Sequence, residues 1–230
     1  MNERNMVMTA EQLNLFPSMF NRLLSLYAAY LWTAILAVMH RGEDFRERVE
    51  EMLAALITSP EYGRSMVDPR FLLEGADETF YALFGEKLKR AGAKAHVYPA
   101  LGQAMAHARL ASCPGDGEIE ALMFGLDGEP MTVYRYLEFG RDETARQLRE
   151  SGGRALRQLA YTIRNTRNQI EHNHRFVENL TVDQAVEHLQ DFDRLAALLP
   201  EGDPARLEQA SSTLAGYTAA LRRADGESES

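Results

Sequence analysis

One segment of the chain concentrates side chains that can bind phosphate and move protons. Asparagine is a poor helix former, so packing alone does not explain several asparagines in consecutive turns of a surface helix. An arginine can hold two phosphate oxygens at once, and a histidine side chain can exchange a proton near neutral pH. Residues 161–175 combine all three types: Arg164, Arg167, Arg175, His172, His174, Asn165, Asn168 and Asn173.

RNA is the phosphate ester that such a segment can cleave without a metal ion or cofactor, because its own 2′-hydroxyl is the nucleophile. In this chemistry His172 acts as base for the 2′-hydroxyl or as acid for the departing 5′-oxygen. Arg167 neutralises the charge that builds on the phosphorus, and Asn168 orients His172 or the scissile phosphate. The expected products carry a 2′,3′-cyclic phosphate and a 5′-hydroxyl.

The order Arg167-Asn168, three further residues and then His172 resembles the signature of the HEPN superfamily, the higher eukaryotes and prokaryotes nucleotide-binding domains. The resemblance covers residues 141–223 and implies a small helical bundle. It implies a metal-independent endoribonuclease that needs no cofactor and acts on RNA as a homodimer or higher oligomer with a composite active site. It also implies a toxin or a phage-defence or CRISPR-associated effector, with an antitoxin or an effector complex as partner.

Two histidines compete for the catalytic position. On an ideal helix Arg167 lies about 140° from His172 but only about 20° from His174. His172 shares a helix face with Asn168, one turn away, and its spacing after an Arg-Asn pair is the commoner family form. We therefore favour His172, and His174 stays as the alternative. Some family members carry a regulatory tyrosine at the position of His174, so that regulation is not expected here.

The charge distribution singles out the same region. The chain has a formal net charge of -9, which as a whole disfavours contact with nucleic acid. Residues 146–175 are the exception, because they hold seven arginines against two glutamates, a net charge of +5. Arg157, Arg164 and Arg175 of this stretch are the candidate RNA-binding residues, which would contact phosphates without sequence preference and in a salt-sensitive way.

The same residues also allow an interpretation without catalysis. Arginines on a helix commonly pair with nearby acids or lie along the surface. The chain would then be a non-catalytic helical module, a degenerate HEPN domain or an unrelated bundle, that binds a protein partner. A metal site is not expected, since the sequence lacks an HExxH motif and its single cysteine, Cys113, cannot form a cysteine cluster.

An apolar run near the N-terminus has two interpretations. Residues 23–39 carry no charge, but a bilayer requires about 20 apolar residues, and this run includes Tyr27, Tyr30 and Trp32. It predicts a buried core helix, with a membrane-associated accessory protein as the alternative. The first 20 residues lack a secretory pattern, so we expect a cytoplasmic protein that does not contact membranes.

Helices are predicted almost throughout the chain. Thr9 with Gln12 and Thr181 with Gln184 form capping boxes, and Asp203-Pro204 starts a last helix. Pro17 is expected to interrupt the first helix, and glycines are expected to pause a later one at 151–153. The predicted helices cover residues 9–16, 18–40, 43–57, 77–90, 99–111, 142–150, 154–176, 182–199 and 204–223.

One segment has a strand pattern instead. Asp127-Gly128 is a typical hairpin turn, and Val133 and Tyr134 are strand-prone. The predicted fold class is thus an all-α helical bundle with a β-hairpin inserted at residues 119–137. The predicted organisation is an N-terminal helical region of unknown role (1–111), the turn and hairpin insertion (112–140), the HEPN-like bundle (141–223) and a disordered tail (224–230).

Overall fold

The computed structural model describes residues 7–42, 44–58, 99–125 and 130–223. These ranges contain nine helices, and β-pairing within them is confined to one bridge between Val7 and Thr181. The predicted all-α fold is therefore confirmed. The helices are α1 (Ala10–His40), α2 (Phe45–Thr58), α3 (Pro99–Ala111), α4 (Asp116–Gly125), α5 (Met131–Phe139), α6 (Glu143–His172), α7 (His174–Glu178), α8 (Val182–Ala197) and α9 (Pro204–Arg223).

The central helix, α1, begins at the predicted capping box, in which the Thr9 side chain accepts from Gln12. The predicted interruption at Pro17 is wrong, because α1 runs through it as one helix of 31 residues. Proline removes one backbone hydrogen bond. The buried rings of Phe16 and Phe20 on either side of Pro17 anchor both halves of the helix in the same core, and this burial offsets that loss.

The aromatic residues of α1 form the middle of the core, as predicted. Tyr27, Tyr30 and Trp32 are buried, and the Trp32 ring stacks on Tyr136 of α5 with 6.3 Å between ring centroids. The two tyrosine hydroxyls donate to groups late in the chain, Tyr27 to the Asp193 carboxylate and Tyr30 to the Leu199 carbonyl at 2.6 Å. Polar tips of buried aromatic rings are usually satisfied in this way.

By length and composition α1 could cross a membrane, and 61% of its most apolar window is buried inside the protein. The helix packs against α5, α6, α8 and α9. Residues of α1 to α4 and of α5 to α9 belong to a single hydrophobic cluster. The apolar run at 23–39 is thus a core helix in this structure, as its aromatic and polar content predicted.

The predicted β-hairpin is wrong. Its two arms lie in helices α4 and α5, and the Asp127-Gly128 turn lies outside the described residues. In α5 seven of nine residues are buried, including Val133, Tyr134 and Tyr136. A helix that is buried on nearly all sides requires apolar and aromatic residues, as a buried strand does. This burial overrides the local preference of those residues for strands.

The helix that carries the candidate site, α6, bends where glycines predicted a pause. Gly153 has φ 61° and ψ -159°, a conformation open essentially to glycine alone. The second half of α6 then buries one face, formed by Leu156, Ala160, Ile163 and Ile170, against α5 and α8. This packing fixes which residues of 154–172 face solvent.

The remaining boundaries mostly agree with the sequence. The helix predicted at 99–111 is confirmed, and so are the second capping box and the start at Pro204. The second helix begins at Phe45 instead of residue 43, and the helix after Thr181 ends at Ala197 instead of residue 199. The predicted helix at 77–90 and tail at 224–230 lie outside the described residues.

Candidate functional site

The motif residues lie at the exposed C-terminal end of α6. Arg167 and Asn168 belong to its last turns, and His172 is its final residue. The helix was predicted to continue to residue 176, but Asn173 breaks it with φ -135° and ψ 85°. The side-chain amide of Asn173 donates to the Gln169 side chain at 3.0 Å, and α7 begins at the next residue. The break leaves the motif beside a helix end that other molecules can reach.

Arg167 and His172 converge on one carboxylate oxygen. Nη1 of Arg167 forms an ion pair with Oε2 of Glu171, and Nε2 of His172 lies 3.9 Å from the same oxygen. Glu171 lies between the other two around the helix axis, so side chains about 140° apart can meet at its carboxylate. The sequence analysis did not assign Glu171 to the site, although its position four residues after Arg167 is the spacing of a helical ion pair.

The three side chains differ in exposure. His172 is 76% exposed, whereas Arg167 and Glu171 are 28% and 32% exposed. An ion pair with this much contact with water contributes only about 0.2–1 kcal/mol. A phosphate group or a second protein molecule can therefore displace the Glu171 carboxylate from Arg167 at little cost.

The other predicted site residues are distributed around this end of α6. Asn168 is half-buried and lies one turn before His172, on the same helix face. Arg175 is exposed on α7. His174 begins α7, and its side chain lies outside the described set. The preference for His172 over His174 stays a prediction.

Arg164 has a different environment from the one expected of a phosphate contact. Its guanidinium pairs with Glu138 of α5 through two hydrogen bonds, Nε to Oε2 at 2.7 Å and Nη2 to Oε1 at 3.2 Å. The two side chains are only 13% and 6% exposed. The guanidinium also lies 5.5 Å from the ring centroids of both Phe139 and Tyr161. Arg164 thus joins α5 to α6.

Arg157 lines a cleft of about 360 Å³ between α5 and α6, together with Glu138, Arg154, Gln158 and Tyr161. Arg154, Arg157 and Gln158 are exposed, and so is the Tyr161 ring. Within the described residues, neither Arg154 nor Arg157 forms an ion pair. Of the residues that line this cleft, only Arg157 was predicted from the sequence to bind RNA.

A half-buried histidine lies behind the motif. Nδ1 of His188, on α8, is 3.3 Å from the hydroxyl of Thr166 on α6. Burial lowers the pKa of His188 below its ordinary value, and the charges of Asp191 and Glu187 oppose this effect. Burial raises the pKa of Asp191, whereas Arg194 acts to lower it. The contact between His188 and Thr166 joins α8 to α6.

Metal binding would require several donor side chains close together. Among the described residues, no three or more histidine, cysteine, aspartate or glutamate side chains form such a group. His40 pairs with Glu120 at 2.8 Å, away from His172.

Comparisons with protein families, with curated proteins and with solved structures find no match to this chain.

Proposed function

We propose that this protein is a metal-independent endoribonuclease of the HEPN type that acts as a homodimer in the cytoplasm. The proposal depends on one observation above all. Arg167 and His172 approach a single oxygen of Glu171 at an exposed helix end, within the stretch of surplus positive charge. A phosphate-binding cation and a proton carrier are thus close enough to act on one phosphodiester.

In the proposed reaction an imidazole accepts the proton of the 2′-hydroxyl, and the resulting oxygen attacks the adjacent phosphorus. The bond from phosphorus to the 5′-oxygen breaks, and a second imidazole donates the proton that this oxygen needs. Arg167 binds the non-bridging oxygens and stabilises the charge of the five-coordinate phosphorus. Asn168 holds His172 or the phosphate in position. The 2′,3′-cyclic phosphate and the 5′-hydroxyl account for every atom.

The need for a base and an acid supports a homodimer. One chain brings one His172 to the site, and a second copy brings the other. The exposure of His172 at the end of α6 makes it accessible to a second copy. In the cell such an enzyme serves as a toxin or as a phage-defence or CRISPR-associated effector, held in check by an antitoxin or activated within an effector complex.

Cleavage of labelled single-stranded RNA in the presence of EDTA tests the proposal. We expect Arg167→Ala and His172→Ala each to lower the cleavage rate by about 100-fold or more. Arg146→Ala is the matched control, because Arg146 lies in the same basic stretch but pairs with Glu143 and Glu150 at the other end of α6. Its activity should equal that of the wild-type protein.

The product ends provide a second criterion, since only attack by the 2′-hydroxyl leaves a cyclic phosphate. Full activity in a folded Arg167→Ala protein would eliminate the mechanism. So would cleavage that stops when EDTA is added. Circular dichroism shows whether each variant retains its helices.

One observation favours a second candidate, a non-catalytic helical module that binds a protein partner. Glu171 satisfies Arg167 within the same helix, as in an ordinary surface ion pair. The net charge of -9 also suits a protein partner. Under this alternative no RNA is cleaved, and Arg167→Ala leaves partner binding unchanged.

A further inference from the structure

The cleft between α5 and α6 combines three features that recur where proteins bind single-stranded nucleic acid. Two exposed guanidiniums, from Arg154 and Arg157, lie at its wall beside the exposed amide of Gln158. The exposed ring of Tyr161 forms another wall. Basic grooves with aromatic side chains bind single strands through phosphate contacts and base stacking.

The α6 residues that line the cleft share a helix face with two residues of the motif. At 100° per residue, Arg154, Arg157, Tyr161, Asn168 and His172 fall within an arc of about 60° on the second half of α6. The buried residues of that half lie on the opposite side of the helix. Tyr161 and His172 are eleven residues apart in the chain, or about 16 Å along the helix axis. A strand lying on this face can therefore contact the cleft, Asn168 and His172 together.

The electrostatics favour an anion at this face. Residues 151–170 contain four arginines and neither aspartate nor glutamate. The one carboxylate of the cleft, on Glu138, is already engaged by both hydrogen bonds from Arg164. The arginines of the cleft would also repel the same cleft of a second copy, so a second copy is disfavoured as the occupant of the cleft itself. An extended polyanion is the complementary ligand.

The position of Tyr161 favours an unpaired base over a duplex. Tyr161 is 42% exposed, although large apolar side chains of the described residues are mostly buried. The Arg164 guanidinium supports the ring, with its carbon 5.5 Å from the ring centroid, and Arg164 is itself fixed by Glu138. A supported, exposed aromatic ring can stack on a base only when that base has left its own helix.

On these grounds, and on the basis of the ribonuclease function proposed above, we propose that the α5–α6 cleft is a binding site for single-stranded RNA. One base stacks on Tyr161, Arg154 and Arg157 bind the adjoining phosphates, and the strand continues along α6 to the scissile phosphate at His172. The enzyme thereby selects unpaired segments, and the cleft sets the distance between the bound base and the cut.

Fluorescence anisotropy with a labelled 2′-O-methyl oligonucleotide tests this site, because the blocked 2′-oxygen prevents cleavage. Tyr161→Ala should weaken binding by about five- to 150-fold, the range for loss of a stacking aromatic residue, whereas Tyr161→Phe should retain it. Arg154→Gln and Arg157→Gln should each weaken binding and reduce the salt slope by about 0.7, the value for one phosphate contact of a single strand.

Arg222→Gln is the matched control, since it removes the same charge from an exposed position at the end of α9. It should bind as the wild-type protein does. The arginine variants keep the proposal testable even if Tyr161→Ala does not fold. Equal binding by wild-type, Arg154→Gln and Arg157→Gln proteins would overturn it.

Competition with unlabelled ligands identifies what the cleft binds. The unlabelled single strand should compete well, and a duplex of the same sequence or adenosine monophosphate should compete poorly. Equal competition by the duplex would overturn the selection of unpaired bases, and equal competition by the mononucleotide would assign the cleft to a free nucleotide.

The cleft and the ribonuclease can fail separately. If RNA is cleaved but the Tyr161 and arginine variants bind and cleave normally, the proposed binding site is wrong and the proposed ribonuclease activity is retained. If these variants lose binding but no RNA is cleaved, the proposed binding site is retained and the proposed ribonuclease activity is wrong.

Discussion

Among the single residues of the site, Glu171 controls what Arg167 can bind. Its carboxylate pairs with the Arg167 guanidinium and also lies near the His172 ring. An RNA phosphate is negatively charged, as the Glu171 carboxylate is, and it would bind the same Arg167 guanidinium. In the proposed enzyme Glu171 is thus a competitor of the substrate, and it keeps Arg167 oriented while no RNA is bound.

Glu171→Gln should therefore strengthen RNA binding. Removal of the competing charge should lower the KM for RNA by about 1.4- to fivefold, which corresponds to the 0.2–1 kcal/mol of an exposed ion pair. Steady-state cleavage kinetics measure this change. Glu143→Gln serves as the control, because it removes a similar exposed carboxylate, the one that pairs with Arg146. It should leave KM unchanged. A higher KM in Glu171→Gln would show that the carboxylate assists binding.

The site residues were predictable from the sequence only where the interactions are local. Arg167, Asn168 and His172 stand out because their types and spacing form a motif. The pairing of Arg164 with Glu138 joins residues 26 positions apart in the chain, so it depends on how α5 packs on α6. The cleft beside Tyr161 depends on the same packing, and for that reason the sequence could indicate Arg157 but not the surface around it.

Among the helices, α6 depends on a single glycine for its course. Gly153 has a positive φ, and a Cβ built there meets no other atom within 4 Å. Gly153→Ala should therefore destabilise the fold through backbone strain alone, by about 1–3 kcal/mol. Gly216→Ala in α9 is a suitable control, because its Cβ also meets nothing and a helical alanine should stabilise by about 0.5–1 kcal/mol. Urea denaturation measures both, and equal stabilities of the two variants would contradict the role of Gly153.

The contact between α8 and α6 should make stability depend on pH. Burial lowers the pKa of His188 in the folded protein. Below about pH 6.5 the unfolded chain therefore takes up a proton that the folded protein resists, and the free energy of unfolding falls as the pH falls. His188→Gln removes this contribution, so its stability should decline less between about pH 7.5 and pH 5.5. Urea denaturation across this range measures the difference, and identical pH slopes would count against it.

Helix boundaries were predictable where backbone chemistry decides them, and less so where burial decides. The capping boxes at Thr9 and Thr181 act through hydrogen bonds to residues three positions away, which a sequence reveals. The hairpin prediction failed because α5 is buried on most sides, and buried helices and strands draw on the same apolar residues. Pro17 failed as a breaker because its neighbours are anchored in the core.

At the scale of the whole molecule, charge is unevenly distributed. Residues 146–175 carry +5, so the rest of the chain carries -14 to give the total of -9. Nucleic acid should therefore be attracted mainly by residues 146–175, and added salt should weaken that attraction. The acidic remainder suits a protein partner that restrains or recruits the proposed enzyme.

The proposed homodimer predicts that activity depends on protein concentration. Below the dissociation constant of the dimer, a tenfold dilution should lower the activity per chain by about tenfold, because the fraction of paired chains falls in proportion. An excess of His172→Ala protein should inhibit the wild-type protein by forming mixed dimers. Sedimentation over the same concentrations shows the oligomeric state. Constant activity per chain in a solution of monomers would disprove the composite site.

The tryptophan in the core provides a natural probe for these measurements. Trp32 is the sole tryptophan of the chain, it is fully buried, and its indole N–H has no hydrogen-bond partner among the described residues. Its fluorescence in the folded state should be that of an indole shielded from water, and it should shift to longer wavelength when the bundle opens. Because Trp32 contacts Tyr136 of α5, this one signal reports directly on the joint between the early and the late helices of the chain.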